Sequence, residues 1–237
     1  NNLPYSSQDT EGYENKIANL FAKKLGNIPV IYAWYPMTSG FVRRTLNAKT
    51  CDLIVTFPAV HEFVQNSNPF YNSSYVFMSL EEKNINIKTL LDPEIKEKKY
   101  KIGIIHATPP SSYVAKYKLF GQVKFYRQAA DPRKQKPWVD ITNDLVDGKL
   151  DIAILWGPYA GYEAKKAKKP IRIVPLTKEE TVSRGKLVYR FTMGIRRNEP
   201  EWEKTINNLI KENQEEINKI LREYGVPLLD NLGNPLK

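Results

Sequence analysis

The chain has 237 residues, of which 41% are hydrophobic and 26% are charged, and its formal net charge is +10. This length suits one large domain or two lobes with separate cores, and the composition does not indicate disorder. No segment approaches the roughly 20 apolar residues that span a bilayer. We therefore expect no membrane span. The positive charge is not accompanied by an RNA-recognition or zinc-finger motif, so we expect no nucleic-acid partner either. Many basic residues are interleaved with Glu or Asp, which favours a solvated surface, and an acidic protein or an anionic membrane is the alternative partner for the charge.

The first third of the chain alternates helices with short apolar runs. Apolar residues recur at three- and four-residue steps from Tyr13 to Leu25, which predicts a helix that ends at Gly26. The apolar run at 29–34 predicts a short buried strand. A helix at 40–48 and a strand at 53–56 follow it.

The rest of the chain repeats this alternation. The pattern predicts strands at 100–105, 123–127, 151–155, 171–175 and 187–195, and helices at 111–119, 140–146 and 159–168. Two further amphipathic helices lead from Pro200 to Gly225. We expect the tail, 226–237, to be loosely packed, because it holds two prolines and a glycine and follows Gly225.

The order of these elements predicts an α/β protein with two lobes. One lobe comprises 1–80 and 185–237, and a complete second lobe, 81–184, interrupts it. In such an arrangement the chain passes twice between the lobes, and we place these two crossings near 77–82 and 178–186. Two crossings form a two-stranded hinge with a central cleft between the lobes.

Catalytic and metal-binding motifs are missing from the sequence. There is no phosphate loop, no nucleophile elbow and no zinc-protease motif. His61 and His106 have no nucleophile beside them, and the carboxylates show no metal-ligand spacing. Cys51 is the only cysteine, and it is either a small buried apolar residue or one half of a disulfide. We therefore expect a protein that is not an enzyme and holds no cofactor or metal.

Aromatic residues cluster where predicted strands end, at 34–36, 69–71 and 156–159. Ligands of open α/β sheets sit beyond the carboxyl ends of the strands. These side chains therefore line a cleft or partner surface, or they pack the lobe edges.

Several short motifs, in order, give the sequence a resemblance to family 3 bacterial extracellular solute-binding proteins. They include Leu3-Pro-Tyr5, Gly12-Tyr-Glu14, Cys51-Asp-Leu-Ile54, Pro69-Phe-Tyr71 and Asp151-Ile-Ala-Ile154. The resemblance implies the two-lobed type II periplasmic receptor fold. In amino-acid receptors of this family an Arg binds the ligand carboxylate and an Asp binds the ammonium. Val60 and Trp156 stand at those places here, so an ordinary amino-acid receptor is not expected.

A narrower resemblance is to the J proteins encoded with methanol dehydrogenases, the XoxJ and MxaJ proteins. Its motifs are Glu11–Ala18, Trp34-Tyr35-Pro36, Gly40–Leu46, Phe57-Pro58-Ala59 and Trp156–Tyr162. Relatives also carry a strand before the Asn-Leu-Pro motif, with a cysteine that the resemblance pairs with Cys51.

The narrower resemblance implies a periplasmic accessory protein, a monomer when alone, that assists a pyrroloquinoline-quinone methanol dehydrogenase of the lanthanide type by contact. The dehydrogenase, and as a second candidate its cytochrome c, would be the partner. A substrate-binding protein of a transporter for an uncharged or aromatic solute is the alternative. The expected cleft or partner-binding residues are Trp34, Tyr35, Phe41, Arg43, Phe57, Trp156, Tyr159 and Tyr162.

Overall fold

The computed structural model describes residues 2–36, 39–59, 62–128, 135–179 and 186–236. The chain folds into two compact units. The larger unit comprises Asn1–Pro4, Ser73–Val188 and Arg222–Lys237, and the smaller unit comprises Tyr5–Asn72 and Tyr189–Leu221. The lobe boundaries given above stay a prediction, as does the cleft.

The helices and strands follow one another in α/β order. The helices are α1 (Tyr13–Lys24), α2 (Phe41–Arg44), α3 (Pro93–Glu97), α4 (Pro110–Lys116), α5 (Pro137–Val146), α6 (Gly157–Lys166), α7 (Pro200–Glu212) and α8 (Gln214–Glu223). The strands are β1 (Ile54–Pro58), β2 (Gln65–Asn66), β3 (Tyr71–Leu80), β4 (Ile102–Ile105), β5 (Val123–Tyr126), β6 (Ile152–Trp156), β7 (Ile171–Pro175) and β8 (Val188–Ile195). Short 3₁₀ turns lie at Glu81–Lys83 and Phe120–Gln122.

A mixed sheet forms the centre of the larger unit, with strand order β7-β3-β6-β4-β5. Strand β4 pairs in parallel with β5 and β6, as the α/β pattern predicts. Strand β3 is antiparallel to both β6 and β7. The carboxyl ends of β4, β5 and β6 therefore lie at one edge of this sheet, and their amino ends lie at the opposite edge.

The central strands β4 and β6 of this sheet are buried on both faces. Ile102, Ile104, Ile152 and Ile154 pack on one face with side chains of α3 and α4. The alternate residues Ala153 and Leu155 pack on the other face with α5 and α6. Because successive side chains of a strand point to opposite faces, a strand buried on both faces has a continuous apolar sequence. The runs at 100–105 and 151–155 were recognisable as strands for this reason.

The smaller unit contains an antiparallel ladder and three long helical segments. Strand β8 pairs with β1 and with β2. Helix α1 buries Tyr13, Ile17 and Phe21, which confirms the predicted apolar face. A separate apolar cluster joins Val42, Leu46, Phe57 and Val64.

Three sequence predictions about local structure are wrong. Among the described residues, 29–34 pairs with no strand, and Ile31 is 86% exposed. The helix predicted at 40–48 is only the four-residue α2, because the backbone leaves helical geometry at Thr45 (φ −114°, ψ −86°). The tail is not loose at its start, since Val226, Leu228 and Leu229 are buried.

Candidate partner-binding residues

Trp156 links strand β6 to helix α6 in the larger unit. Its backbone is extended (φ −63°, ψ 126°), and helix α6 begins at the next residue. Its ring lies 5.4 Å from the ring of Tyr75, edge to face. The two residues are opposed on the paired strands β3 and β6, so the ladder itself sets this contact. Trp156 is half-buried and presents an apolar surface at the carboxyl end of β6.

Tyr159 and Tyr162 lie on helix α6, and each is held by another aromatic ring. Tyr159 stacks on Trp138 at 4.1 Å between ring centroids, and its hydroxyl donates to Asn2 Oδ1 at 3.0 Å. Tyr162 stacks on Tyr224 at 6.3 Å, and Lys166 Nζ lies 4.9 Å from its ring centroid. Both tyrosines are half-buried, so part of each ring stays accessible in a fixed orientation.

The smaller unit holds the other predicted residues. Tyr35 and Phe41 approach with ring centroids 6.4 Å apart, and Arg44 Nη1 donates to the Tyr35 hydroxyl at 2.5 Å. Trp34 is 46% exposed and stacks on Tyr32 at 5.5 Å. This arrangement fixes aromatic rings at the surface of the unit.

Arg43 and Phe57 differ sharply in exposure. Arg43 is exposed on α2 and, within the part of the chain that the structure describes, it enters no ion pair. Phe57 is 4% exposed and belongs to the apolar cluster of Val42 and Leu46. Phe57 therefore packs against Val42 of α2 in the interior of the smaller unit.

Sequence reasoning missed the partners that orient these rings. Tyr32 lies two residues before Trp34, and in an extended segment that spacing puts both on one face. Tyr75 and Trp138 carried no such local signal. They lie on β3 and α5, far along the chain from Trp156 and Tyr159, and meet these residues only in the folded unit.

Glu14 is a further residue that the sequence did not single out. It is half-buried in the first turn of α1, and burial raises the pKa of its carboxyl to about 7, although the hydroxyls of Thr56 and Ser6 lower it in part. The hydroxyls of Tyr13 and Tyr71 lie 3.1 Å apart nearby, and burial raises the pKa of both phenols. The smaller unit thus contains a buried polar cluster around one titratable carboxyl.

His106 and Cys51 form no reactive group with other described residues. His61 lies outside the described residues, and the ring of His106 packs edge to face on Phe125 at 5.7 Å. Cys51 is a free, half-buried thiol whose pKa burial raises. Over the described ranges, no cluster of three or more potential metal ligands occurs. No helix in those ranges is both long and apolar enough to cross a membrane.

Comparison with known proteins places the chain among binding proteins. It is 36% identical to the periplasmic binding protein XoxJ from Methylobacterium extorquens AM1, over 97% of this chain and 96% of that one, with a TM-score of 0.78. A structure of MxaJ from Methlophaga aminisulfidivorans MPT is similar in fold, with 24% identity, 97% coverage of both chains and a TM-score of 0.76.

Among curated proteins, Protein MoxJ of Methylorubrum extorquens is 27% identical over 95% of this chain and 78% of its own length. No family model matches the chain. The likeness to these structures confirms the predicted periplasmic-binding-protein fold class.

Proposed function

The chain belongs to the XoxJ/MxaJ-type periplasmic binding proteins, and we propose that it is a periplasmic accessory protein that assists maturation or activation of a pyrroloquinoline-quinone methanol dehydrogenase by direct contact. The observation that carries this proposal is the 36% identity to XoxJ over nearly the whole of both chains. The dehydrogenase is the proposed partner, with its cytochrome c as a second one. We propose that the chain has no catalytic activity of its own.

Trp156 supports an accessory role over uptake of amino acids. In the family 3 resemblance, its place is that of the carboxylate that binds a ligand ammonium. An indole attracts a cation through its ring face but carries no negative charge and no lone-pair acceptor, so an ammonium buried against it would regain only part of the several kcal/mol of solvation that it loses. The second such place, Val60, lies outside the described residues.

The proposed contact residues have the chemistry of protein interfaces. Trp, Tyr and Arg are enriched among residues that dominate binding energy, because each combines a large apolar surface with a polar group. Rings already fixed by stacking lose little conformational entropy on binding. The proposed set is Trp34, Tyr35, Phe41, Arg43, Trp156, Tyr159 and Tyr162, with buried Phe57 as support.

A more specific proposal concerns which type of methanol dehydrogenase is the partner. Identity to XoxJ is 36%, against 24% to MxaJ, at nearly equal coverage. In the resemblance, the XoxJ branch accompanies the lanthanide enzyme. We therefore propose a lanthanide-type dehydrogenase as the partner.

Two exposed residues give a direct test. Trp34 and Arg43 are exposed, so Trp34→Ala and Arg43→Ala should leave folding intact. We expect each to weaken binding to the purified dehydrogenase about tenfold, and to reduce its activation in a dye-linked methanol-oxidation assay. Lys211→Ala, an exposed change on α7, is the control. Variants that bind and activate as well as the control would contradict the proposed contact set, and an unmodified chain that neither binds nor activates the enzyme would contradict the function.

The alternative is a receptor that delivers an uncharged or aromatic solute to a permease. The edge-to-face pair of Trp156 and Tyr75 favours it, because this pair offers an aromatic surface for such a solute. A ligand-dependent melting shift, described below, distinguishes the two functions.

A further inference from the structure

The positive charge of the chain is concentrated in one unit. The larger unit carries 24 Lys and Arg residues against 15 Asp and Glu residues, whereas the smaller unit carries 12 against 11. Nearly all of the net charge of +10 therefore belongs to the larger unit. A field of one sign raises association rates with a partner of the opposite sign.

Within the larger unit, lysines gather at the amino ends of the parallel strands. Residues 98–101 lead into β4, and the 118–122 turn leads into β5. Ile102 pairs with Val123, so these two segments are neighbours at one edge of the sheet. We call this surface the basic end and define it by Lys98, Lys99, Lys101, Lys118 and Phe120, all of which are exposed. Trp156 lies at the opposite, carboxyl end of β6, so the basic end is separate from the proposed contact residues of this unit.

Three lysines of the basic end, Lys98, Lys99 and Lys118, differ from their neighbours in having no paired carboxylate among the described residues, whereas Lys101 lies beside Asp151. Lys83 pairs with Asp151 at 2.6 Å, and Lys124 and Lys149 pair with Asp144 at 2.6 Å and 3.0 Å. By contrast, within the ranges that the structure describes, Lys98, Lys99 and Lys118 enter no ion pair. Asp151 and Asp144 are thus paired with other lysines, and the charges of Lys98, Lys99 and Lys118 stay open to a partner.

Phe120 supplies an apolar anchor among these charges. It lies in the 3₁₀ turn two residues after Lys118, and 62% of its surface is exposed. An exposed aromatic side chain with a rim of charged residues is the usual composition of a protein interface. A membrane-binding surface needs a larger apolar face, such as that of an amphipathic helix, for stable insertion.

From this geometry we propose that the basic end is a docking surface for an acidic face of a protein partner, with Phe120 as its anchor. The proposal rests on the proposed function for the identity of that partner, the dehydrogenase. It adds a second contact surface and the chemistry of its complement. Long-range attraction to the lysines sets the rate of encounter, and contact with Phe120 slows dissociation.

The backbone of the basic end allows its charge to be removed without harm to the fold. Lys99 (φ 52°) and Lys118 (φ 58°) follow the ends of α3 and α4 in the left-handed conformation, where glycine is the preferred residue. Lys99→Gly and Lys118→Gly therefore delete two charges at positions that suit glycine. Lys49 in the smaller unit has the same conformation (φ 59°), so Lys49→Gly is a matched control.

Binding to immobilised, purified methanol dehydrogenase tests the proposal. We expect the double variant Lys99→Gly/Lys118→Gly to bind about tenfold more weakly at low salt, mainly through slower association, with the difference shrinking at high salt. Phe120→Ser should weaken binding about tenfold through faster dissociation at either salt. Lys49→Gly should bind like the unmodified chain. Phosphatidylglycerol vesicles are the second probe.

The outcomes separate this inference from the proposed function. If the unmodified chain binds the enzyme and the double variant and Phe120→Ser bind equally well, the basic end is a solvated face and the inference is wrong. If the variants lose vesicle binding but keep enzyme binding, the surface recognises lipid, which also overturns it. If the unmodified chain does not bind the enzyme, the proposed function fails, and the assigned partner fails with it.

Discussion

At the scale of single residues, Glu14 makes the stability of the protein depend on pH. Its folded carboxyl keeps a proton up to about pH 7, whereas an unfolded glutamate loses its proton near 4.5. The folded state therefore binds this proton more tightly. The contribution of Glu14 to stability falls as pH rises from about 4.5 to about 7 and is constant above that range.

Glu14→Gln removes this titration. We expect the variant to exceed the unmodified chain in free energy of unfolding by about 1–3 kcal/mol at pH 8, with the difference shrinking steadily toward pH 4. Urea unfolding at pH 4, 5, 6, 7 and 8 measures it. Glu201→Gln, an exposed change on α7, should show no such trend. A pH-independent difference for Glu14→Gln would mean that the carboxyl has the same pKa in the folded and the unfolded chain.

The sequence predicted the place of a side chain in the fold where that side chain ends an apolar strand, whereas its part in binding stays a prediction. Trp156 was singled out because it ends an apolar run, and it lies at the carboxyl end of β6. Phe57 shares that signal but is buried, because it packs with Val42 and Leu46, which the sequence pattern of β1 alone does not reveal. Glu14 gave no signal, since its surroundings include Thr56 and Tyr71, which come from distant segments of the chain.

At the scale of elements, the 156–162 motif is explained by close packing. A Cβ atom on Gly161 would lie 1.7 Å from the carbonyl oxygen of Gly225, and one on Gly157 would lie 2.5 Å from that of Ser74. The two glycines let α6 approach neighbouring backbone more closely than any side chain permits. Lys165 Nζ adds hydrogen bonds to the carbonyls of Arg222 and Glu223 at 2.7 Å and 2.9 Å.

Gly161→Ala should therefore destabilise the protein strongly. The methyl group meets backbone rather than a movable side chain, so we expect a loss of about 2–4 kcal/mol in free energy of unfolding. Gly121→Ala is the control, because no atom lies within 4 Å of its added Cβ, and we expect a change of about 0.5 kcal/mol or less. Denaturant unfolding of both variants measures the contrast. Equal stabilities would show that α6 shifts without cost.

Helices and strands were predictable where the sequence of a segment by itself determines its secondary structure. The continuous apolar runs of β4 and β6 were recognised because burial on both faces leaves few polar positions. The segment at 29–34 has a similar run, but a strand also needs a hydrogen-bonding partner, which a local pattern cannot supply. Strand β3 was missed for the opposite reason, since Asn72, Ser73, Ser74 and Ser79 are polar yet buried within it.

At the scale of the whole molecule, binding and folding are linked. A ligand that binds only the folded chain stabilises it by about 2.7 kcal/mol at one hundred times its dissociation constant. For a protein of this size, that stabilisation corresponds to a rise of about 5–10 °C in Tm. Melting temperature therefore reports ligand binding without any assumption about where the ligand sits.

We expect L-arginine and L-glutamine at millimolar concentration to raise Tm by less than about 1 °C. Both ligands carry an ammonium group, and Trp156 offers it an indole in place of a carboxylate, so binding would leave a charge without solvent or counter-ion. A known amino-acid receptor melted with the same ligands is the positive control. A panel of uncharged aromatic solutes, such as phenol and benzyl alcohol, tests the receptor alternative in the same assay. A rise in Tm of several degrees with any of these solutes would favour a solute receptor over the accessory function. A protein that acts only through protein contact requires no binding site for such solutes.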